Sequence, residues 1–447
     1  MKRQLSIGFM LFAMFFGAGN LIFPPKLGME SGHFFWPVMV GFVLTGVGMP
    51  LLGVIVGAID KRGYEGALKE ISPVYSLLLL STIYIVIGPL FSIPRTGTTA
   101  YELTVGSMIS HPGSVSLAIF SLLYFLIVTY VSLNPNKLVD RIGSVLTPIL
   151  LLIITAIIVR GLFLLSSDPQ TTGDKERFPD LATSFANGVS EGYLTMDALG
   201  AITFSILIVN TIKMNGICQK KELFRSVTAA GVFAGILLAL VYVALAFIGN
   251  HINLSAGRMA DIMQHDRNMG VYLLTYISQL GFGSFGRILL GLAVTIACLT
   301  TAIGLIVAVS TYFHTIIPKI SYKTFVYIFV IISFILSNLG LNQVIRMSVP
   351  VLSLIYPIAI TTMLLILLSS FIPMKPIVHQ VTIICITVFS VVDLMHRNQL
   401  LHVPALERLP FYSISLEWLS VALIAGIISY LISLLIKNQR PIMYQND

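Results

Sequence analysis

Charge is scarce in this sequence. Of its 447 residues only 10% are Asp, Glu, Lys or Arg, against about 25% in soluble domains. A chain so poor in charge cannot cover a water-facing surface of its size, so its solvent is largely lipid. Cysteine is nearly absent as well. Cys218, Cys298 and Cys385 lie far apart, in or near apolar stretches, which excludes a disulfide framework or a thiolate metal site and leaves inert packing. A basic stripe is also missing. The net charge is +8, but Lys and Arg come in short clusters between apolar runs, a pattern that sets membrane topology rather than one that tracks a polynucleotide. The eight histidines form no His-x-x-x-His pair, so a membrane-embedded enzyme is a remote alternative.

What the sequence has in abundance is apolar length. Hydrophobic residues make up 56%, and the runs are long enough to cross a bilayer at about 20 residues each. They read as Leu5–Met29, Phe34–Ala58, Tyr75–Ser92, Val115–Leu133, Ile142–Leu165, Glu191–Lys213, Phe224–Gly249, Ser284–Phe313, Tyr322–Leu341, Gln343–Leu368, Pro376–Leu394 and Ser413–Ile436. The fold class expected is therefore an all-α polytopic membrane protein of about twelve transmembrane helices. Lys2-Arg3 ahead of an apolar run has the layout of a signal peptide, but Gly17-Ala18-Gly19-Asn20 runs straight into Leu21-Ile22-Phe23, which fits a retained first span. An even span count places both termini on one side. With that side cytoplasmic, the inner loops carry Lys69, Lys137, Arg141, Arg225, Lys319, Lys323 and Lys375, and the outer loops carry Asp174, Glu176, Asp180 and Glu407, as the positive-inside rule requires. The loop 166–187 is polar, and the loop 250–283 holds an apolar stretch, Val271–Leu280, too short to span. That stretch is either a helical lid over the outer mouth or an ordinary surface loop.

Two spans are interrupted. The first reads Phe15-Phe16-Gly17-Ala18-Gly19-Asn20-Leu21-Ile22-Phe23-Pro24-Pro25. Glycine costs about 1 kcal/mol inside a helix, and proline removes a donor and kinks the chain. Exposed backbone in lipid is tolerated only where it lines a cavity, so this break is expected to face a polar ligand or ion. A glycine packing face is the plainer reading of Gly-x-Gly by itself. The sixth span reads Gly192-Tyr193-Leu194-Thr195-Met196-Asp197-Ala198-Leu199-Gly200-Ala201. A carboxylate within a span is costly and is a functional candidate; Asp197 can equally cap a second half-helix, and the two roles are compatible. The breaks open spans one and six, so each begins a block of five. Five is odd, hence the second block is inverted relative to the first, and two half-helix ends meet near the midplane.

Two further segments carry candidates. In the eighth span, Ala297-Cys298-Leu299-Thr300-Thr301-Ala302 sets two hydroxyls beside a backbone carbonyl, a donor set that suits a hard cation; threonines in membranes also commonly bond their own helix. The third span ends Ile87-Gly88-Pro89-Leu90-Phe91-Ser92-Ile93-Pro94-Arg95-Thr96. Arg95 is expected near the outer mouth, pairing with Glu102 or a loop acid as a gate, or else snorkelling to the interface. Tyr84, one turn before Gly88, is placed to reach a central cavity or simply to pack.

The segments Phe16–Gly28, Ile87–Thr96 and Gly192–Leu199 together resemble three signatures of the bacterial branched-chain amino acid:cation symporter family. The resemblance covers essentially the whole chain. It implies the five-plus-five inverted repeat of leucine-transporter-like carriers, with discontinuous helices 1 and 6 and two extra helices. The repeats would be 1–165 and 191–368, separated by an extracellular loop, 166–190, and followed by two spans in 376–436 and a cytoplasmic tail, 437–447. It implies symport of leucine, isoleucine and valine across a bacterial plasma membrane by alternating access, with Na+ as the coupling ion and H+ as the alternative.

Carried over residue by residue, the resemblance implies a substrate site at Phe15, Gly17, Ala18, Gly19 and Asn20, with the amides of Ala18 and Gly19 on the carboxylate. Tyr84, Thr195, Asp197, Ala198, Leu199 and Ala201 would complete it. It implies a Na+ site at the carbonyls of Ala13, Phe16 and Ala297 and the hydroxyls of Thr300 and Thr301. Met14 stands where a second sodium site would want a polar side chain, so one coupled ion is expected. In a proton-coupled member, Asp197 or Glu191 would carry the proton.

Overall fold

Apolar runs in lipid have no water to satisfy their backbone, so each must close its own hydrogen bonds as a helix. The computed structural model describes residues 2–60, 63–109, 113–134, 147–164, 173–214, 219–252, 254, 256–264, 268–436 and 441–442. Lys137, Arg141 and Cys218 therefore lie outside the described residues. Among those described the chain is almost wholly helical, with one isolated β-bridge between Met374 and Ile442.

Among the described residues each expected run coincides with helix, residues 142–146 of the fifth lying outside them. The first is α1 (Lys2–Phe15) and α2 (Ala18–Ser31). The second is α3 (Phe35–Val43) and α4 (Met49–Gly57), joined by a π turn over Leu44–Gly48. After α5 (Tyr64–Ile71), the third comprises α6 (Pro73–Ile85), a π turn over Val86–Leu90, α7 (Ser92–Tyr101) and a second π turn over Glu102–Gly106. There follow α8 (Ser114–Ser132), α9 (Thr147–Phe163), α10 (Leu181–Tyr193), α11 (Asp197–Met214), α12 (Lys220–His251) and α13 (Ala256–Gln264). The chain continues through α14 (Met269–Ile316), α15 (Tyr322–Ser337), α16 (Leu341–Leu368), α17 (Pro376–Arg397), α18 (Pro404–Glu407) and α19 (Glu417–Leu435). Among the described residues, eight helical stretches are long and apolar enough to cross a membrane, with α9 and α15 as shorter apolar helices.

The third run is longer than expected, and the eighth is preceded by a further helical limb. The third does not stop at Ser92. Gly88 leaves helical geometry at ψ −110°, which lets the π turn absorb Pro89. Pro94 then falls in the first turn of α7, where a missing N–H costs little. Helix also precedes the eighth run, from Met269, and Gly283, at the non-helical φ +61° and ψ −147°, separates that limb from the one that begins at the expected Ser284. The stretch Val271–Leu280 is thus the first limb of α14.

By contact the chain falls into two units. One comprises Met1–Val47, Ile85–Met196 and Ala229–Ser348; the other comprises Gly48–Tyr84, Asp197–Thr228 and Val349–Asp447.

Within the first unit, close packing is carried by glycines in reciprocal pairs. A Cβ on Gly28 of α2 would overlap the carbonyl of Ala246 on α12, and one on Gly249 of α12 would overlap that of Pro25 on α2. The same arrangement recurs between α3 and α10, with Gly41 against the Phe185 carbonyl and Gly188 against that of Val38. The first pair joins spans one and seven, the second spans six and two. Exchanging the two five-span blocks turns one pair into the other, as the inverted repeat requires. Small residues let helices approach where lipid offers no hydrophobic drive.

In the second unit α4 packs on α11, with Gly53 facing the Ala201 methyl so that a Cβ there would lie 2.7 Å from it. The Tyr64 hydroxyl donates to the Gly53 carbonyl at 2.8 Å. Further along, α17 pairs with α19. There Lys375 donates from Nζ to the carbonyls of Ser433 and Ile436, each at 2.6 Å, where a cation suits a helix C-terminus.

Candidate substrate and ion site

The first break falls where the sequence loses helix propensity. α1 ends at Phe15, Gly17 is extended at φ −103° and ψ −166°, and α2 begins at Ala18. A helix start leaves its first N–H groups without intrahelical partners, and Gly17 has no side chain to cap them. Ala18, Gly19 and Asn20 are all buried. The Asn20 side chain bridges the gap, donating from Nδ2 to the Phe15 carbonyl at 2.9 Å and to the Tyr242 hydroxyl. Tyr242, on α12, is fully buried and meets Phe42 edge-on with ring centroids 5.6 Å apart.

Beside this break stands α14. A Cβ on Gly17 would lie 3.5 Å from the Thr301 hydroxyl oxygen, so Thr301 faces the interruption directly. Thr301 is 7% exposed, and its Oγ1 is buried without a hydrogen-bond partner. Such an orphaned oxygen is costly unless something completes it. Thr300 Oγ1 donates to the Ala297 carbonyl at 2.8 Å, which leaves its lone pairs as acceptors. Ala13, Phe16 and Ala297 are buried in the same unit. A buried orphaned hydroxyl oxygen beside an unwound backbone suits a small hard cation.

The second break runs from the end of α10 at Tyr193 to the start of α11 at Asp197, with Met196 at φ +66°. The left-handed region is unusual for a residue of this size, and it marks the point at which the chain changes direction. On the first-unit side, Thr195 donates from its hydroxyl to the Gly192 carbonyl at 2.9 Å. Thr45, in the π turn of span two, donates to the Val189 carbonyl at 2.8 Å and leaves Gly192 no room for a side chain.

Arg95, expected as a gate residue near the outer mouth, is buried on the first turn of α7. It is 2% exposed and donates to the carbonyls of Leu194 at 2.6 Å and Thr195 at 3.0 Å. That helix starts anew after the non-helical Gly88 and Phe91. Glu102 opens the π turn about two helical turns further on.

On the second-unit side, Asp197 is the first residue of α11 and is 7% exposed. That position suits a carboxylate at a helix N-terminus. Ala198, Leu199 and Ala201 are buried, and the Ala201 methyl is spent on Gly53 of α4. Tyr84 is buried and donates to the Thr203 carbonyl at 3.2 Å.

Another cluster lies at the far ends of α2 and α10. Arg177 pairs with Glu30 of α2 and Glu191 of α10 at once. Burial alone would lower the Arg177 pKa, but the carboxylates of Glu191 and Glu30 outweigh it and hold it above its ordinary value. Asp174 and Asn187 tie the same segment down, through the Glu30 carbonyl at 2.9 Å and the Arg177 carbonyl at 2.6 Å.

The sequence profile of branched-chain amino acid transport proteins matches residues 1–436. The chain belongs to the branched-chain amino acid transport protein family. A carrier protein of Staphylococcus aureus (strain MRSA252) named for branched-chain amino acids is 52% identical over 446 residues, covering all of both chains. Its counterpart in strain USA300 is 51% identical over the same length. Among solved structures, the fold is similar to that of Mhp1, a nucleobase-cation-symport-1 family transporter in a closed conformation with bromovinylhydantoin bound. That likeness has a TM-score of 0.59 at 12% identity and covers 97% of this chain and 92% of the other. At such identity it speaks for the fold alone. This member of the family is an amino acid transporter and a multi-pass membrane protein, and its relatives are carriers rather than enzymes.

Proposed function

We propose that the protein imports leucine, isoleucine and valine by Na+-coupled symport across a bacterial cell membrane, with both termini in the cytoplasm. The observation that carries the ion is the orphaned Thr301 hydroxyl facing the break at Gly17. In this reading Na+ is held by that oxygen with the hydroxyl of Thr300 and the carbonyls of Ala13, Phe16 and Ala297. The substrate carboxylate takes the uncapped amides of Ala18 and Gly19, where the helix dipole favours an anion. Because both sites share the unwound stretch, occupancy of one favours the geometry of the other, which is the coupling that symport needs. An apolar pocket separates one methylene by only about 1–3 kcal/mol, so the three aliphatic substrates are expected to compete. Alternating access follows if the bound form prefers a different conformation from the empty one.

A second reading keeps the substrate and changes the ion. Asp197, buried at the start of α11, or Glu191 would then carry the proton. The deciding experiment is labelled leucine uptake into proteoliposomes under a Na+ gradient or a proton gradient, with wild type and Thr301→Ala. Accumulation driven by Na+ and lost in Thr301→Ala supports the sodium reading. Accumulation driven by protons and lost in Asp197→Asn, with no response to Na+, overturns it.

A further inference from the structure

We propose that α9 and α14, where they meet at the Gly283 kink, bind the phosphodiester headgroup of an anionic phospholipid. Two arginines hold opposite sides of that kink. Arg160, near the end of α9, donates from Nε to the Gly281 carbonyl at 3.3 Å. Its stem lies along Gly281, where a Cβ would stand 2.8 Å from the Arg160 Cγ. Arg287, in the first turn of the second limb of α14, reaches the Ser284 hydroxyl from Nη2 at 3.5 Å, a long hydrogen bond. Its Nε is buried without a partner, so the guanidinium is poorly paired. Gly281 and Ser284 are three residues apart, so the backbone between them spans at most about 11 Å. Gly283, at φ +61°, has nothing within 4 Å of a built Cβ, so the kink opens onto free space.

Depth and charge select the ligand. Arg160 lies five residues before the end of the fifth apolar run and Arg287 three residues inside the eighth, about 8 Å and 5 Å along a helix. From there a long side chain carries its cation to headgroup level. Arg160 is exposed and Arg287 half-buried, and among the described residues no carboxylate pairs with either. With both termini in the cytoplasm, as proposed, this is the outer end of the two helices, where the positive-inside trend disfavours arginine. Two cations there without a protein anion gain most from an anion of the membrane itself, as basic pockets between helices do. A phosphodiester matches the guanidinium fork. Its acyl chains have an apolar wall to follow, since Phe163 of α9 and Phe285, Ile288 and Leu292 of α14 are all exposed. A free phosphate would use the arginines and leave that wall bare. A bound headgroup joins α9 to both limbs of α14, of which the first packs on α2 through Gly270 and the second carries Thr301.

The test uses the purified full chain, stripped of lipid in detergent. The unfolding midpoint is followed as phosphatidylglycerol, phosphatidylcholine or inorganic phosphate is titrated. Phosphatidylglycerol is expected to raise the wild-type midpoint saturably, phosphatidylcholine to do so more weakly, and inorganic phosphate to leave it unchanged. In the double variant Arg160→Gln, Arg287→Gln the phosphatidylglycerol concentration at half effect is expected to rise about tenfold or more, the size of a lost hydrogen bond to a charged group. Arg258→Gln, which removes an exposed arginine bonded to the Tyr276 hydroxyl, is expected to leave it unchanged. If the double variant does not fold, Arg160→Lys and Arg287→Lys, which keep the charge and lose the fork, carry the test through a smaller rise. No protection by phosphatidylglycerol, equal protection by phosphatidylcholine, protection by inorganic phosphate, or an undiminished response in the variants overturns the assignment.

Discussion

The Asn20 side chain donates to the carbonyl of Phe15 at 2.9 Å, so a residue on one side of the break holds a backbone group on the other. Its second tie, to Tyr242, anchors that bridge to α12. Each buried hydrogen bond lost here costs about 0.5–1.5 kcal/mol. Asn20→Leu is therefore expected to abolish leucine uptake in folded protein. Tyr242→Phe removes one hydrogen bond, about 1 kcal/mol, and is expected to raise the leucine KM about fivefold. Initial rates in proteoliposomes, normalised to incorporated protein, measure both. Wild-type KM in both variants would show that the bridge does not organise the site.

The glycines pairing α2 with α12 face backbone rather than flexible side chains, so nothing nearby can yield. Gly28→Ala and Gly249→Ala are each expected to destabilise by about 1–3 kcal/mol or more, the usual cost of overpacking. Gly270→Ala, whose Cβ would overlap the Ile22 carbonyl, belongs with them. Gly257 of α13 has nothing within 4 Å of a built Cβ, and Gly257→Ala is expected to be neutral or stabilising by up to about 1 kcal/mol. Thermal unfolding of the four variants in detergent ranks them, and indistinguishable midpoints would contradict the packing described.

Much of this was legible in the residues. Apolar length gave the helices, and Gly17, Gly19 and Asp197 marked the two breaks, because helix propensity and intramembrane charge are local properties. The contact of Thr301 with the first break followed from resemblance, since nothing in spacing alone brings residues 17 and 301 together. Pro89 and Pro94 read as a helix end, and the chain does leave helical geometry at Gly88, with Pro94 in the first turn of the helix that follows. Tyr242 and Thr45 were missed. A lone tyrosine or threonine in an apolar run looks like packing until the chain is folded and its hydroxyl finds a partner. The Arg177 clasp was equally hidden, because its partners Glu30 and Glu191 are far from each other in sequence.

Arg177 holds two carboxylates that would otherwise face each other. Removing one member of a largely buried ion cluster strands the rest, at about 3 kcal/mol. Arg177→Met is expected to lower the unfolding midpoint by that amount and to weaken leucine uptake through the disturbed ends of α2 and α10. Adding Glu30→Gln and Glu191→Gln removes the stranded charges and is expected to recover most of the loss. A triple variant no better than Arg177→Met would mean that the charges are not coupled.

Asp180 provides the pH dependence. It is the N-cap of α10, accepting from the Thr183 backbone N–H at 2.9 Å and from the Thr183 hydroxyl at 2.9 Å. The backbone hydrogen bond, followed by the hydroxyl, holds its carboxyl below the ordinary value of 3.8. A carboxyl depressed in the folded state binds its proton more readily when unfolded. Its contribution is therefore complete above the ordinary carboxylate range and is lost as pH falls through that range and then through the folded value. Asp180→Asn keeps a capping oxygen but cannot ionise, so it is expected to be less stable than wild type at pH 7 and to converge on it as pH falls below about 4. Asp180→Ala loses the oxygen as well and should stay less stable at every pH. Thermal unfolding of the three proteins from pH 7 down to the acid limit of solubility measures this. A gap between wild type and Asp180→Asn that does not narrow with acid would show that the charge on Asp180 contributes nothing to the cap.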